Sequence, residues 1–211
     1  AAQELLNLAE RADVDLVVIG CRGLGALNRL LLGSVSERIA TYAHRSVLVV
    51  RGFPENQELA ARSLVFADDG SAAATQAIDR FSHFPLGEQR RAAVIGVHET
   101  IPHWGAQGTL ETSPLWRLEA ARIQDRLAQS VHKLAATQAQ VSSLCRQGEE
   151  AANEILNFAE EKSADLIVMG NTGKSAWERL LLGSATSRVL HHAQCSIWIE
   201  RVPSQPPARH G

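Results

Sequence analysis

The sequence is poor in the features that mark several large classes of protein. Its three cysteines, Cys21, Cys145 and Cys195, are too few and too widely spaced for a disulfide framework. They suit free thiols in a reducing compartment, which points to the cytoplasm. Neither sign of charge is in excess: 21 Lys and Arg stand against 23 Asp and Glu, a formal net charge of −2. That excludes the broad attraction that draws a basic protein to nucleic acid or to an anionic membrane. No apolar run approaches the roughly 20 residues that span a bilayer. The opening Ala1-Ala2-Gln3-Glu4 lacks the basic-then-apolar order of a signal peptide. What remains is 45% hydrophobic and 21% charged residues in a chain of 211, the balance of one or two globular domains.

What the chain does have is a repeat. Residues Ala12–Arg51 and Lys162–Arg201 align without a gap at a fixed offset of 150 residues. The shared positions include Asp15/Asp165, Gly20/Gly170, Gly23/Gly173, Gly33/Gly183, Ser34/Ser184 and Arg38/Arg188. Arg-Leu-Leu-Leu-Gly-Ser recurs whole at Arg29–Ser34 and Arg179–Ser184. A repeat of this length means two copies of one structural unit. The second copy is preceded by ~90 residues of its own, part of a normal domain length; the first is not. The expected organisation is therefore a C-terminal half-unit at 1–52, a polar linker at 53–62, a complete unit at 63–202 and a disordered Pro-rich tail at 203–211.

Hydrophobic patterning fills in the elements. Continuously apolar runs at Asp15–Gly20, Ser46–Val50, Leu64–Ala67, Ala92–His98, Val141–Arg146, Asp165–Gly170 and Ser196–Arg201 predict strands, several buried on both faces. Helical spacing predicts helices at Ala1–Ala12, Ser34–Ala43, Ala72–Phe81, Leu115–Thr137, Ala151–Lys162 and Ser184–Ala193. Ser34-Val35-Ser36-Glu37 fits a capping box. Glu99–Pro114 reads as a long loop. The alternation of strand and helix in the second unit demands a parallel sheet with helices on both faces. The expected fold is an open, doubly wound, five-stranded α/β sheet of flavodoxin-like order 3-2-1-4-5, preceded by half of a second such unit. The last strand is expected at an edge, where it could pair with Ser46–Val50 or with another chain.

In such a sheet ligands bind where the strand order reverses, at the carboxyl ends of the flanking strands. Here those strands deliver Asp68 and Asp69 from one side and a glycine loop from the other. The loop reads Met169-Gly170-Asn171-Thr172-Gly173, then nine residues, then Gly183-Ser184 at a helix start. Glycines let main-chain N–H groups approach a ligand without a Cβ in the way. A helix start adds unpaired N–H groups and partial positive charge, so the pair makes a phosphate cradle. The bland alternative is a strand-to-loop turn at Gly170 and Gly173 and close packing at Gly183. A Walker loop does not fit, because the glycine required five positions before Gly173 is Val168.

The strand Asp165–Gly170, the pattern Gly170-x2-Gly173-x9-Gly183-Ser184, the ending His192–Ile197 and the opening Val65–Ser71 together resemble the universal stress protein family, in its ATP-binding branch and tandem form. The resemblance implies an adenine-nucleotide-hydrolase-like fold and a regulatory stress-response role with ATP as ligand, with or without magnesium. By position it places Asp69 at the nucleoside, Val97 and Met169 beside the base, and Gly170, Thr172, Gly173, Gly183, Ser184 and the N–H of Ala185 at ribose and phosphates. It also implies a homodimer through the last strand. Gly148-Glu149-Glu150 departs from the family's Gly-Asp-Pro. The first copy lacks an opening strand and aspartate, so one complete site is expected.

Other candidates read more simply as structure. His191-His192 stand on different sides of a helix and have no partner cluster for a metal. Cys195 reads as a packed small side chain, and His98 and His103 as loop-proximal histidines near the site. No arrangement for nucleophilic or acid–base catalysis stands out, so at most slow ATP hydrolysis is expected. The functional alternative is a nucleotide-free interaction or scaffold module of the same fold.

Overall fold

The computed structural model describes residues 1–21, 32–51, 62–100, 114–171 and 182–202. Its strands are β1 (Leu16–Gly20), β2 (Ser46–Val50), β3 (Ser63–Ala67), β4 (Arg91–Glu99), β5 (Gln140–Gly148), β6 (Leu166–Gly170) and β7 (Ser196–Glu200). Its helices are α1 (Ala2–Arg11), α2 (Ser34–Tyr42), α3 (Ala72–Ser82), α4 (Pro114–Ala135), α5 (Ala151–Glu161) and α6 (Ser184–His192). The expected elements fall at these places, with ends moved by one or two residues. The expected tail and most of the expected long loop lie outside the described residues.

The strands form one mostly parallel sheet of seven, in the order β1-β2-β7-β6-β3-β4-β5. Within it the second unit runs β5-β4-β3-β6-β7, and the two strands of the first unit extend the same sheet through the pairing of Ser46–Val50 with the last strand. The joint is β2 against β7, the antiparallel pair, in the register Val47 to Ile199, Leu48 to Trp198 and Val49 to Ile197. Leu48 and Trp198 are each other's counterparts in the repeat. A pseudo-twofold axis therefore passes between them, and each unit meets the other through the same surface.

The arginine that follows each joint strand reaches across this axis. Arg201 Nη2 donates to the carbonyls of Ala40 and Thr41 at 2.7 and 2.8 Å, at the C-terminal end of α2. Its counterpart Arg51 donates to the Leu190 carbonyl at the end of α6. Each cation meets the negative end of a helix that belongs to the other unit. Ser46 and Ser196, also counterparts, accept the main-chain N–H groups of Arg201 and Arg51. Because β7 pairs with β6 on one side and β2 on the other, its edge is filled within the chain. The expected dimer through the last strand therefore has no open edge to use.

Each face of the sheet carries its own core. On one face α1, α2, α5 and α6 pack on Val47, Val49, Val65, Ile95, Ile167, Ile197 and Ile199. On the other, α3 and α4 cover Leu64, Phe66, Val94, Val168 and Trp198, with Phe81 edge-on to both Phe66 and Trp198. Strands buried on two faces need apolar residues at both parities, which is why these segments do not alternate. Gly96 lets α4 come close: a Cβ there would stand 2.8 Å from Ile123 Cγ2.

The expected capping box is not formed. Gly33 occupies the cap position of α2, Ser34 is already helical, and no side chain caps the helix. Glu37 turns instead to His191 of the other unit, at 3.4 Å. Ser36 ties the helix to β1 by donating to the Gly20 carbonyl at 2.7 Å. Thr186 makes the matching bond to the Gly170 carbonyl at 2.9 Å.

Candidate functional site

From β3 the chain proceeds to β4 and β5 on one side, then returns to place β6 on the other. The strand order reverses between β3 and β6, so a crevice is expected at their carboxyl ends. Around it stand the turn after β3, the end of β4, the end of β6 and the start of α6.

The turn after β3 is built by two aspartates with different tasks. Asp68 is buried and engaged: its Oδ1 accepts from the Gly70 N–H, Arg126 Nε lies 3.0 Å away, and Ser130 donates to Oδ2 at 2.7 Å. Arg126 also donates to the Asp68 carbonyl. Arg126 and Ser130 are one helical turn apart on α4, so this network clamps α4 to the β3 turn. Asp69 is half-exposed, and its Oδ1 accepts the Ser71 N–H at 2.9 Å. Ser71 caps α3 by accepting from the Ala74 N–H. Gly70 carries φ +79°, a conformation that a side chain would strain. The sequence offered Asp68 and Asp69 together; the clamp on α4 separates them.

Val97, Met169 and Ala185 all belong to the core on the α5–α6 face, with Met169 buried and the other two half-buried. They come from β4, β6 and α6, so the fold places these three expected positions in the core on one face of the sheet. Gly170 ends β6 and is buried. A Cβ on it would lie 2.9 Å from Ala73 Cβ and 3.1 Å from the Ala74 nitrogen. Its lack of a side chain therefore has a packing reason: the first turn of α3 rests on it. Thr172 and Gly173 lie outside the described residues.

The two ends of the glycine loop are tied together. Asn171 donates its N–H to the Glu200 carbonyl, and the Gly183 N–H donates to the Asn171 carbonyl at 2.8 Å. Gly183 then caps α6 with φ −62° and ψ 157°, and no side chain accepts from the first turn. Ser184 is exposed as the first helical residue. α6 thus opens with no side-chain cap on its leading N–H groups among the described residues, unlike α3, which Ser71 caps.

Residues beyond the expected set support the site. Glu200 is fully buried and accepts from Gln76 Nε2 at 2.8 Å, Arg80 Nε at 3.1 Å and Trp198 Nε1 at 2.7 Å. It fastens the end of β7 to α3. A charged residue closing an otherwise apolar strand was the visible signal for it. His98, at the end of β4, has Nε2 3.4 Å from Glu119 of α4; His103 lies outside the described residues. Among the described residues no group of three or more His, Cys, Asp or Glu is placed to hold a metal. In the first unit, β1 pairs with β2 alone among the described residues, so no opening strand or aspartate faces Gly20 and Gly33.

An open α/β sheet with a strand reversal, an aspartate turn on one flank and a helix start on the other defines the class of open doubly wound α/β proteins. Comparison with known proteins narrows the class. The universal stress protein family model matches residues 1–51 and 61–201, and the chain belongs to that family. A universal stress protein of Mycolicibacterium smegmatis is 30% identical over 204 residues, covering 95% of this chain and 65% of that protein. One from Methanocaldococcus jannaschii is 54% identical over 54 residues, 26% of this chain and 32% of that protein. The chain thus spans less than two thirds of the length of these relatives. Among solved structures, a universal stress protein of Archaeoglobus fulgidus superposes with TM-score 0.62 at 21% identity, over 96% of this chain and 66% of that one. A putative universal stress protein of Pseudomonas aeruginosa gives 0.66 at 14% identity, over 95% and 68%. These likenesses establish the fold. The described helices include none long and apolar enough to cross a membrane.

Proposed function

We propose that the second unit binds ATP, or a related adenine nucleotide, and that the protein acts as a nucleotide-responsive regulator in a stress response rather than as an enzyme. The observation that carries this is the start of α6. Gly183 opens it with no side-chain cap, and its residue Ala185 packs into the same core as Val97 and Met169. Helix-start amides and a glycine without a Cβ suit phosphate oxygens. Apolar side chains suit the flat face of a base. Asp69 offers a carboxylate to ribose hydroxyls. Magnesium would arrive with the phosphates.

The surface of the first unit supports reading it as the C-terminal half of a domain of the same type. Leu5, Leu8 and Val18 are 45%, 53% and 58% exposed, whereas their counterparts Ile155 and Phe158 are 5% and 1% exposed and Val168 is 1% exposed. The latter three are covered by the β3–β4–β5 half of the second unit. A single complete nucleotide site follows.

The alternative, a nucleotide-free interaction module, gains from Gly170, whose glycine the α3 contact explains without a ligand. Isothermal titration with ATP separates the two. The expected result is one saturable site per chain. Gly183→Val should weaken it more than tenfold; φ −62° suits valine, but valine is a poorer helix cap, so a loss of about 1 kcal/mol in stability should accompany it. Asp69→Ala should weaken it by about tenfold, the loss of a charge-assisted hydrogen bond. Absence of heat and of thermal shift at millimolar ATP would overturn the nucleotide reading.

A further inference from the structure

At the opposite end of the sheet, between the C-terminal ends of α5 and α6, lies a hollow of about 250 Å³. Leu156, Ala164, Ile167 and Cys195 give it an apolar floor, and Glu160, Ser163, His192 and Gln194 stand around it. The internal repeat supplies a control for reading it. In the first unit the same place is formed by the ends of α1 and α2. There the chain places its own cations in partly exposed pairs: His44 Nε2 lies 3.2 Å from Glu10, and Arg45 pairs with Asp13. Glu160 is the counterpart of Glu10 and keeps the carboxylate. Gln194 and Cys195 stand where His44 and Arg45 are, and Ser163 where Asp13 is. The turn itself is unchanged, with φ +49° at Asp13 and +47° at Ser163.

The electrostatics of the hollow are therefore one-sided. Two helices end at it, and helix C-termini carry partial negative charge. Glu160 adds a full one. Among the described residues no lysine or arginine lines the hollow. Buried Arg51 acts electrostatically on the Cys195 thiol and donates to the Leu190 carbonyl; Arg201 donates likewise to the end of α2 in the first unit, which nevertheless holds Arg45 and His44. Burial raises the Cys195 thiol to about 11, so the floor is neutral at ordinary pH.

We infer that this hollow is a binding site for a small organic cation, a guanidinium or primary amine on a short apolar body, which takes the place that Arg45 and His44 fill in the first unit. The ion seats against Glu160 and the two helix ends, and its body covers Ile167, Leu156 and Cys195. The site is independent of the nucleotide reading, since it lies at the other end of the sheet and needs none of those residues.

The probe is n-butylguanidinium, with n-butylurea as its neutral isostere, followed by amide chemical shifts of the full chain. The cation should give saturable shifts at Ser163, Ala164, Ala193 and Cys195 and none at the counterparts Asp13, Val14, Ala43 and Arg45. The urea should bind at least about fivefold more weakly, since a partly exposed ion contact is worth ~1 kcal/mol. Glu160→Gln should reduce affinity for the cation and leave the urea unchanged. The double substitution Ser163→Asp and Cys195→Arg rebuilds the first unit's pair and should abolish binding. Equal binding of urea and cation would overturn the proposal, as would matching shifts in the first unit, lack of saturation, or an unaffected Glu160→Gln protein. That last variant keeps the test decisive if the double variant fails to fold.

Discussion

Gly170→Ala is the most direct probe of how the second unit is assembled, because the chain carries its own control at Gly20. A Cβ at residue 170 would meet Ala73 Cβ at 2.9 Å, the Ala74 nitrogen at 3.1 Å and Ser71 Oγ at 3.3 Å. Carbon–carbon contacts are favourable only beyond about 3.5 Å. The first turn of α3 must therefore retreat by roughly half an ångström. It cannot do so by turning a side chain, since two of the three contacts are main-chain or Cβ atoms. Overpacking of this kind destabilises by about 1–3 kcal/mol. Stiffening of the unfolded chain offsets ~0.5 kcal/mol of that, leaving about 0.5–2.5 kcal/mol. For a chain of this size that is a fall in melting temperature of roughly 1–10 °C. Gly20 is exposed, with no opening helix against it, so Gly20→Ala should be neutral or slightly stabilising. Urea and thermal unfolding of both variants measure the difference. If the two substitutions have the same effect, the close approach of α3 to β6 is wrong, and with it the packing reason for Gly170.

The joint between the units gives a second test. Arg201→Met keeps the buried stem but removes two charge-assisted bonds to the end of α2, leaving both carbonyls unpaired. The loss is offset in part because a buried guanidinium is costly to hold; burial pulls Arg201 down to about 10, still charged at neutral pH. A net destabilisation of about 2–3 kcal/mol is expected in urea, and none would refute the bridging role. A third test uses pH. Cys195 is raised from 9.0 to about 11 by burial, so between those values the unfolded chain releases its proton and the folded one does not. Stability present below pH 9 should fall as pH rises toward 11, by at most ~2.7 kcal/mol. The decline should be shallower in Cys195→Ser, and identical pH profiles would refute the burial of the thiol.

Much of this arrangement was legible in the repeat. An offset of 150 residues with Gly20/Gly170 and Gly33/Gly183 in step fixed two like strands, two like helix starts and a common turn. Apolar runs without alternation announced strands buried on both faces. Val97, Met169 and Ala185, which the family resemblance named, pack into one core on the α5–α6 face. The capping box at Ser34 misled because Glu37 found a better partner in His191, 154 positions away. The family resemblance singled out Asp69 over Asp68; the physical difference between them came from Arg126 and Ser130 on one face of α4, which engage Asp68. Glu200 was visible only as an oddity until Gln76, Arg80 and Trp198 closed around it.

The sequence by itself determined the local elements, their alternation and their duplication. Those depend on periodicity, backbone freedom and turn chemistry, which act over a few residues. The tertiary structure decided that the two units share one sheet, because β2 and β7 meet as counterparts about an axis that no local pattern records. It decided equally which side chains meet around the hollow beside Cys195. Both depend on which side chains converge in space, and convergence of residues a hundred positions apart is a property of the fold alone.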